Sequence, residues 1–172
     1  RPGVLNASFT VMGEAAAMTS YRRLRRPGAT YFFTLCLQQR GSALLVDQIE
    51  LLREAWRLTM REMPVTCRAV VVLPDHLHAI WTEPEDAAHF SERWRRIKAR
   101  FSRGIEGDFQ PRPSLRRKRE RGIWQRRFWE HCIRDERDLA IAMRHCRWNP
   151  VRHGLVTRPE AWPYSSFSLD RR

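Results

Sequence analysis

The amino-acid sequence predicts an α+β fold, in which an antiparallel sheet has its helices packed on one face. Apolar, β-branched runs that favour strands alternate along the chain with segments whose apolar residues recur at helical spacing. Their order is strand, helix, strand, strand, helix, strand, helix. The 172 residues are 42% hydrophobic, which is enough for a core without disulfide or metal staples. This order is typical of a ferredoxin-like split β-α-β sandwich.

The first half of this unit begins with a buried strand. Residues 29–37 are rich in aromatic and β-branched side chains, which favours a strand. Residues 45–63 follow with apolar positions at helical spacing and Arg and Glu between them, so we predict an amphipathic helix. Pro64 should end that helix, because proline cannot donate the backbone hydrogen bond that would continue it.

A hairpin with two histidines is the most informative stretch of the chain. Strands are predicted over 67–73 and 76–82, with Pro74 and Asp75 as the tight connection. Alternation along a strand puts His76 and His78 on one face, roughly 6 to 7 Å apart. Two imidazoles at that separation can hold one ion or one phosphate. The pair alone is a weak indication, because surface and packing histidines also occur at this spacing.

The next helix has an apolar stripe and an arginine row. Residues 90–101 are predicted to be helical, with the stripe facing the core. Arg93, Arg96 and Arg100 line a second face, which is either simply solvated or in contact with a DNA backbone. The charge of the whole chain favours DNA contact.

The last two elements are a strand region over 123–133 and a helix. Asp135 is a suitable N-cap for this helix, and Pro150 is expected to stop it. On the helix, His145 and Asn149 share a face because they are four residues apart.

The charge of the chain points to a polyanionic partner. The formal net charge is +13 and the pI is near 11.1, with arginine supplying nearly all of the 32 basic residues. Arginine binds phosphate bidentately and stacks on bases, so nucleic acid is favoured over a membrane surface. No apolar run reaches the roughly 18 to 20 residues that span a bilayer. We therefore predict a cytoplasmic, nucleoid-associated protein that does not bind a membrane.

The four cysteines do not indicate a disulfide framework or a structural zinc site. They are widely scattered, with no Cys-x-x-Cys pair and no zinc-finger spacing. Reduced, partly buried thiols are the expectation at Cys36, Cys67, Cys132 and Cys146.

The chain is predicted to hold one domain with flexible basic parts. Residues 1–20 are expected to form a disordered N-terminal extension, ahead of a single domain over 21–172. Residues 106–122 are too charged and too interrupted by proline to pack, so we expect a mobile basic loop. Contact with DNA and plain solvation both remain open for these basic clusters. The further basic residues assigned to DNA binding are Arg22, Arg23, Arg25, Arg26, Arg116, Arg117, Lys118, Arg119, Arg126, Arg127 and Arg152.

Four stretches, in this order, resemble the successive motifs of the REP-associated tyrosine transposases. That family belongs to the histidine-hydrophobe-histidine, single-tyrosine transposases of the insertion-sequence 200/605 type. The resemblance covers roughly residues 20–168, and four ordered motifs are far more specific than one histidine pair. The stretches are residues 71–81 (VVLPDHLHAIW), 123–131 (IWQRRFWEH), 149–156 (NPVRHGLV) and 162–166 (WPYSS).

The resemblance implies binding, nicking and rejoining of single-stranded DNA at the hairpins of repetitive extragenic palindromes (REP), by a monomer or homodimer. In that family two histidines hold a magnesium or manganese ion, and a tyrosine on the last helix attacks the scissile phosphate. Matched by position, His76 and His78 are the metal pair and Asn149 is the polar residue that completes the ion's shell.

The expected nucleophile is missing. The family's tyrosine should lie four residues before Asn149, and that position is His145. His145 could mark a lost nucleophile in a protein that still binds DNA. It could instead act as a nucleophile, or as a base that activates water. As a third alternative, the motif is aligned differently and Tyr164 serves as the nucleophile.

Overall fold

The computed structural model describes residues 25–107 and 121–169, and the predicted order of elements is confirmed there. The predicted extension over 1–20 and most of the predicted basic loop over 106–122 lie outside the described residues. The strands are β1 (Thr30–Cys36), β2 (Thr66–Val72), β3 (His76–Thr82) and β4 (Trp129–Cys132). The helices are α1 (Leu44–Asp47), α2 (Ile49–Glu62), α3 (Phe90–Gly104) and α4 (Glu136–Arg152), followed by a short 3-10 helix over Pro159–Ala161.

The four strands form one antiparallel sheet in the order β2-β3-β1-β4. This is the strand order of the split β-α-β sandwich, because β1 lies between β3 and the last strand. In the β1–β3 pair, Thr34 lies opposite His78 and Cys36 lies opposite His76. In the β1–β4 pair, Thr34 lies opposite Trp129. The sheet therefore places both strand histidines and Trp129 on one face, since directly opposite residues share a face.

The other face of the sheet carries the larger core. Alternate residues of β1 and β3, among them Phe33 and Trp81, pack there against α2 and α3. Trp81 stacks on Trp94 of α3 with ring centroids 4.0 Å apart. This aromatic packing holds α2 and α3 on the face opposite the histidines.

Helix α4 lies on the histidine face, and this differs from the prediction that the helices share one face. Phe32 and Ile80 point to that face and are as thoroughly buried as their neighbours on the first face. They form a second core with Ala142 and Cys146 of α4. Both faces of the sheet are apolar, so both need a helix to exclude water. This placement brings α4 over the strand histidines.

The predicted start of α4 is confirmed, but its predicted end is not. Asp135 caps the helix as predicted, because its Oδ1 accepts a hydrogen bond from the amide of Asp138 at 2.8 Å. Pro150 does not end the helix, which continues to Arg152. A proline in the last turn removes only one helical hydrogen bond there, and its own carbonyl accepts from the amide of Leu155 at 3.0 Å.

The arginine row on α3 forms ion pairs and hydrogen bonds within the protein. Arg93 is 2% exposed and donates to both carboxylate oxygens of Glu83, at 2.7 and 2.8 Å. It also donates to the carbonyls of Met63 and Pro64. The prediction that Arg93 contacts DNA is therefore wrong, because its guanidinium is buried and fully used.

Two neighbouring arginines of this row are paired as well. Arg96 and Arg100 donate to the two carboxylate oxygens of Glu62, at 2.7 and 2.5 Å. These bonds tie α3 to the end of α2, on the face of the sheet away from the histidines. The structure thus gives no support to a DNA contact by Arg96 or Arg100 at the histidine site.

Candidate histidine site

Four histidines meet where α4 crosses β3. His76 and His78 come from β3, His145 comes from α4, and His153 directly follows α4. Ring centroids lie 5.2 Å apart for His76 and His78, 4.8 Å for His78 and His145, and 5.0 Å for His76 and His153. We call these four residues the histidine cluster.

Asn149 adds an amide to this cluster. It lies one helical turn after His145, and its Nδ2 donates to Nε2 of His145 at 3.0 Å. The Asn149 side chain is 4% exposed, and its buried Oδ1 has no hydrogen-bond partner within the part of the chain that the structure describes. A buried carbonyl oxygen without a donor is costly, so this atom is a candidate ligand for a bound group.

Asp75 fixes the orientation of His76. Nδ1 of His76 donates to Oδ1 of Asp75 at 2.6 Å. The other Asp75 oxygen accepts from the amide of Gly41 at 2.8 Å and lies 3.3 Å from Nε of Arg40. Burial raises the pKa of Asp75, but the hydrogen bonds from His76 and Gly41 lower it by more, so this carboxylate is ionised. His76 therefore keeps Nε2 available.

His78 is fixed in a similar way by β1. Its Nδ1 is hydrogen-bonded to Oγ1 of Thr34 at 2.8 Å, and its ring stacks on Phe32 with centroids 5.3 Å apart. Burial, and then the nearby His145 and His76, hold the pKa of His78 well below its usual value. The ring is neutral near pH 7, as a ligand nitrogen must be.

His145 is also neutral. Burial lowers its pKa to about 4, and the charge of Arg152 contributes to the same shift. A neutral imidazole has a lone pair for a proton, an ion or a hydrogen-bond donor, and here Asn149 donates to it.

Sequence reasoning missed His153. Residues 145, 149 and 153 are spaced by four, which places them on one helical face. That spacing was present in the sequence, and the structure places His153 directly after the last residue of α4.

Three side chains of this site are candidate donors for a divalent ion. Among residues 25–107 and 121–169, no group of three or more His, Cys, Asp and Glu side chains is arranged to hold a metal. The candidate donors that the cluster offers are Nε2 of His76, Nε2 of His78 and Oδ1 of Asn149. The Asp75–His76 bond is the outer support typical of a metal-ligating histidine. Mixed nitrogen and oxygen donors suit manganese and, less well, magnesium.

Tyr164 does not belong to this site. It follows Trp162 at the outer edge of β2, where its carbonyl accepts from the amide of Val72 at 2.8 Å. It packs at the edge of both cores, and its ring lines a groove with Leu52 and Trp56 of α2, which packs on the opposite face of the sheet. The alternative in which Tyr164 is the nucleophile is therefore not supported.

The remaining predicted basic residues fall into two groups. The residues of the first group are exposed and lie outside α3. One of them, Arg152, is close enough to His145 for its charge to lower the pKa of that histidine. The second group lies outside the described residues. The exposed residues are Arg25, Arg26, Arg126, Arg127 and Arg152, and those outside the described residues are Arg22, Arg23, Arg116, Arg117, Lys118 and Arg119.

Comparison with known proteins identifies the family. A protein assigned as a REP-associated tyrosine transposase in Haemophilus influenzae is 42% identical over 154 residues, covering 89% of this chain and 88% of the relative. The chain belongs to the REP-associated tyrosine transposases. The family member of Escherichia coli is 40% identical over 153 residues, covering 89% of this chain and 85% of its own length. No family model matches the sequence.

A solved structure of this transposase family has the same fold. A REP-associated tyrosine transposase bound to a REP hairpin superposes with a TM-score of 0.74 at 41% identity, covering 87% of this chain and 83% of that chain. The predicted α+β fold and the resemblance drawn from the four motifs are both confirmed. No helix within residues 25–107 and 121–169 is long and apolar enough to cross a membrane.

The histidine cluster should make the metal-free protein less stable in acid. The pKa of His76, His78 and His145 is lowered by folding, that of His145 to about 4, so the unfolded chain binds more protons below its ordinary histidine pKa. Stability is therefore fully present above about pH 6.5 and lost as pH falls toward 4. We expect His145 alone to contribute on the order of 2 kcal/mol to this loss, after allowing for its partial exposure.

Urea unfolding in a chelator at several pH values from 7 to 4.5 measures the effect. His145→Gln keeps a polar side chain but cannot titrate, so its curve should be flatter than that of the wild type. Identical slopes for the two proteins would contradict the assignment to His145.

Proposed function

We propose that this chain binds single-stranded DNA carrying palindromic-repeat hairpins and does not form the tyrosine–DNA link of its family. The observation that carries the proposal is the position of His145. It lies against Asn149 and His78, at the place where the family's tyrosine is expected. Among the described residues, no tyrosine reaches the histidine cluster, because Tyr31 is buried in the opposite core and Tyr164 lies at the edge of β2.

Charge and family membership support the DNA-binding part. The related structure holds a REP hairpin. The net charge of this chain is +13, and exposed arginines are available before β4 and at the end of α4. Phosphate contacts by such residues release counterions, so binding should weaken steeply as salt is raised.

We also propose that His76, His78 and Asn149 hold a divalent ion, manganese or magnesium. When bound, this ion would supply a positive charge against a phosphate oxygen of the DNA. The protein's own contribution is orientation: Asp75 holds the ring of His76, and Thr34 holds the ring of His78. In a binding protein without a nucleophile, the site would fix one phosphate of the strand in place.

A second candidate function is metal-dependent nicking through His145. The position of the ring favours it, because His145 lies beside His78 with centroids 4.8 Å apart. Burial keeps the ring neutral, but a pKa lowered to about 4 also makes it a weaker base. Nε2 could attack phosphorus, forming a nitrogen–phosphorus bond while the 3′-oxygen leaves and takes up a proton. It could also accept a proton from an attacking water. Asn149 already donates to that nitrogen, so it would have to move away first, and the geometry favours binding without cleavage.

End-labelled single-stranded hairpin DNA, incubated with the full chain and Mn²⁺, separates these candidates. We expect salt-sensitive binding with neither cleavage nor a covalent product. Cleavage that disappears in His145→Ala would establish the second candidate instead, and an absence of binding at low salt would overturn both. His76→Ala should lower the affinity for Mn²⁺, whereas His89→Ala, an exposed histidine at the start of α3, should leave it unchanged.

A further inference from the structure

The face of the sheet that carries the histidine cluster continues onto β4. Thr34 of β1 is paired with His78 on one side and with Trp129 on the other. These three residues form one row across the sheet, with their side chains on the same face. Two strand spacings separate the backbones of His78 and Trp129, which is roughly 10 Å.

Trp129 is the exposed end of a connected set of aromatic rings. The side chain of Trp129 is 48% exposed, although it is large and apolar. Its ring meets the buried Phe32 at a centroid distance of 5.7 Å. Phe32 in turn contacts both His78 and His145, at 5.3 and 5.5 Å. Phe32 therefore links Trp129 to the rings of His78 and His145.

The neighbour of Trp129 on this face is held in place from α4. The rings of Trp129 and His131 are parallel to within 9°, with centroids 5.9 Å apart. Nε2 of His131 is hydrogen-bonded at 2.8 Å to Oδ2 of Asp138, which is buried and also accepts from Arg134. The two parallel rings are thus ordered before any ligand arrives, which lowers the entropic cost of binding one.

We propose that Trp129 and His131 form a stacking site for an unpaired nucleobase of the DNA strand whose phosphate lies at the histidine cluster. This inference rests on the proposed function. Exposed tryptophan rings stack on any base, because every base has a flat π face. The surroundings suit a nucleotide better than an apolar partner, because the exposed cations Arg127 and Arg134 flank the pair in sequence.

The stacking site should bind a base of the single-stranded flank and not a base of the paired stem. Bases within a duplex stem are already stacked on one another, so only an unpaired nucleotide can place its face on Trp129. Affinity for a hairpin with an unpaired flank should therefore depend on Trp129, and affinity for the same hairpin with a blunt end should not.

Binding of both DNAs to Trp129→Ala, Trp129→Phe and Trp148→Ala tests this. Trp148 is a matched control, since it is 42% exposed but lies on α4. Trp129→Ala should weaken binding of the flanked hairpin by about tenfold and leave the blunt hairpin within about twofold, while Trp129→Phe restores most of the loss. Trp148→Ala should change neither DNA by more than about twofold.

Each outcome decides one point. A wild-type protein that binds neither hairpin overturns the proposed function. A wild type that binds, with Trp129→Ala unaffected or weakened equally for both DNAs, overturns the stacking site alone. A second measurement needs no variant: 2-aminopurine placed at successive flank positions should be quenched at one of them on binding. Quenching at no flank position would also overturn the stacking site.

Discussion

Replacing Glu83 with alanine should lower the free energy of unfolding by about 3 to 5 kcal/mol. The Glu83 side chain is fully buried and accepts two hydrogen bonds from Arg93, which is itself 2% exposed. Removing the carboxylate leaves a buried guanidinium charge without its counterion, and the amide of His89 loses its acceptor. Urea unfolding of the two proteins at pH 7 measures the difference.

Glu62→Ala is the matched control for this change. Glu62 also accepts from two arginines, Arg96 and Arg100, but its side chain is 42% exposed. Water can solvate those guanidinium groups when the carboxylate is removed, so the loss should be much smaller. Equal losses for Glu83→Ala and Glu62→Ala would contradict a special role for the buried pair.

The same ion pair shows where sequence reasoning reached its limit on α3. Helical spacing correctly predicted the helix and its apolar stripe, and it placed Arg93 on a second face with Arg96 and Arg100. It could not show that Glu83, ten residues earlier in the chain, lies against Arg93 in the folded protein. An arginine next to an apolar face is buried when an acidic side chain pairs with it and exposed when none does. That partner, Glu83 for Arg93, is brought close only by the tertiary structure.

The strand histidines were easier to predict than the helix residues that face them. Alternation in a strand is local, so His76 and His78 were correctly placed on one face. The position of α4 depends on which face of the sheet still needs covering, and both faces are apolar. The predicted stop at Pro150 was wrong as well, because the helix continues to Arg152 and His153 lies directly after it, against His76.

In the proposed function, ion binding and nucleophilic attack at the histidine site are separate. The groups that would orient an ion are in place, because Asp75, Thr34 and the buried Asn149 amide all face the strand histidines or the helix residue opposite them. At the position where the motif resemblance expects a tyrosine, this chain has His145. The effect of placing a tyrosine there should therefore depend on the rest of the site being intact.

Replacing His145 with tyrosine should yield a covalent protein–DNA product where the wild-type chain yields none. The new phenol would lie on the same turn of α4, beside Asn149 and opposite His78. Its oxygen would bond to phosphorus, while the 3′-oxygen of the cut strand leaves and takes up a proton. Hairpin DNA with an unpaired flank and a 3′-end label, incubated with Mn²⁺ and run on denaturing electrophoresis, detects the product as a labelled band at the mass of the protein plus the attached DNA fragment.

Two controls make the result specific. His145→Phe carries the ring of tyrosine without its hydroxyl and should give no covalent product. The double variant His145→Tyr with His76→Ala should give much less covalent product than His145→Tyr alone. A product of equal yield with His145→Phe would show that the link does not come from the restored phenol. DNA binding without any product in His145→Tyr would show that this chain lacks more than the nucleophile for the reaction that the motif resemblance implies.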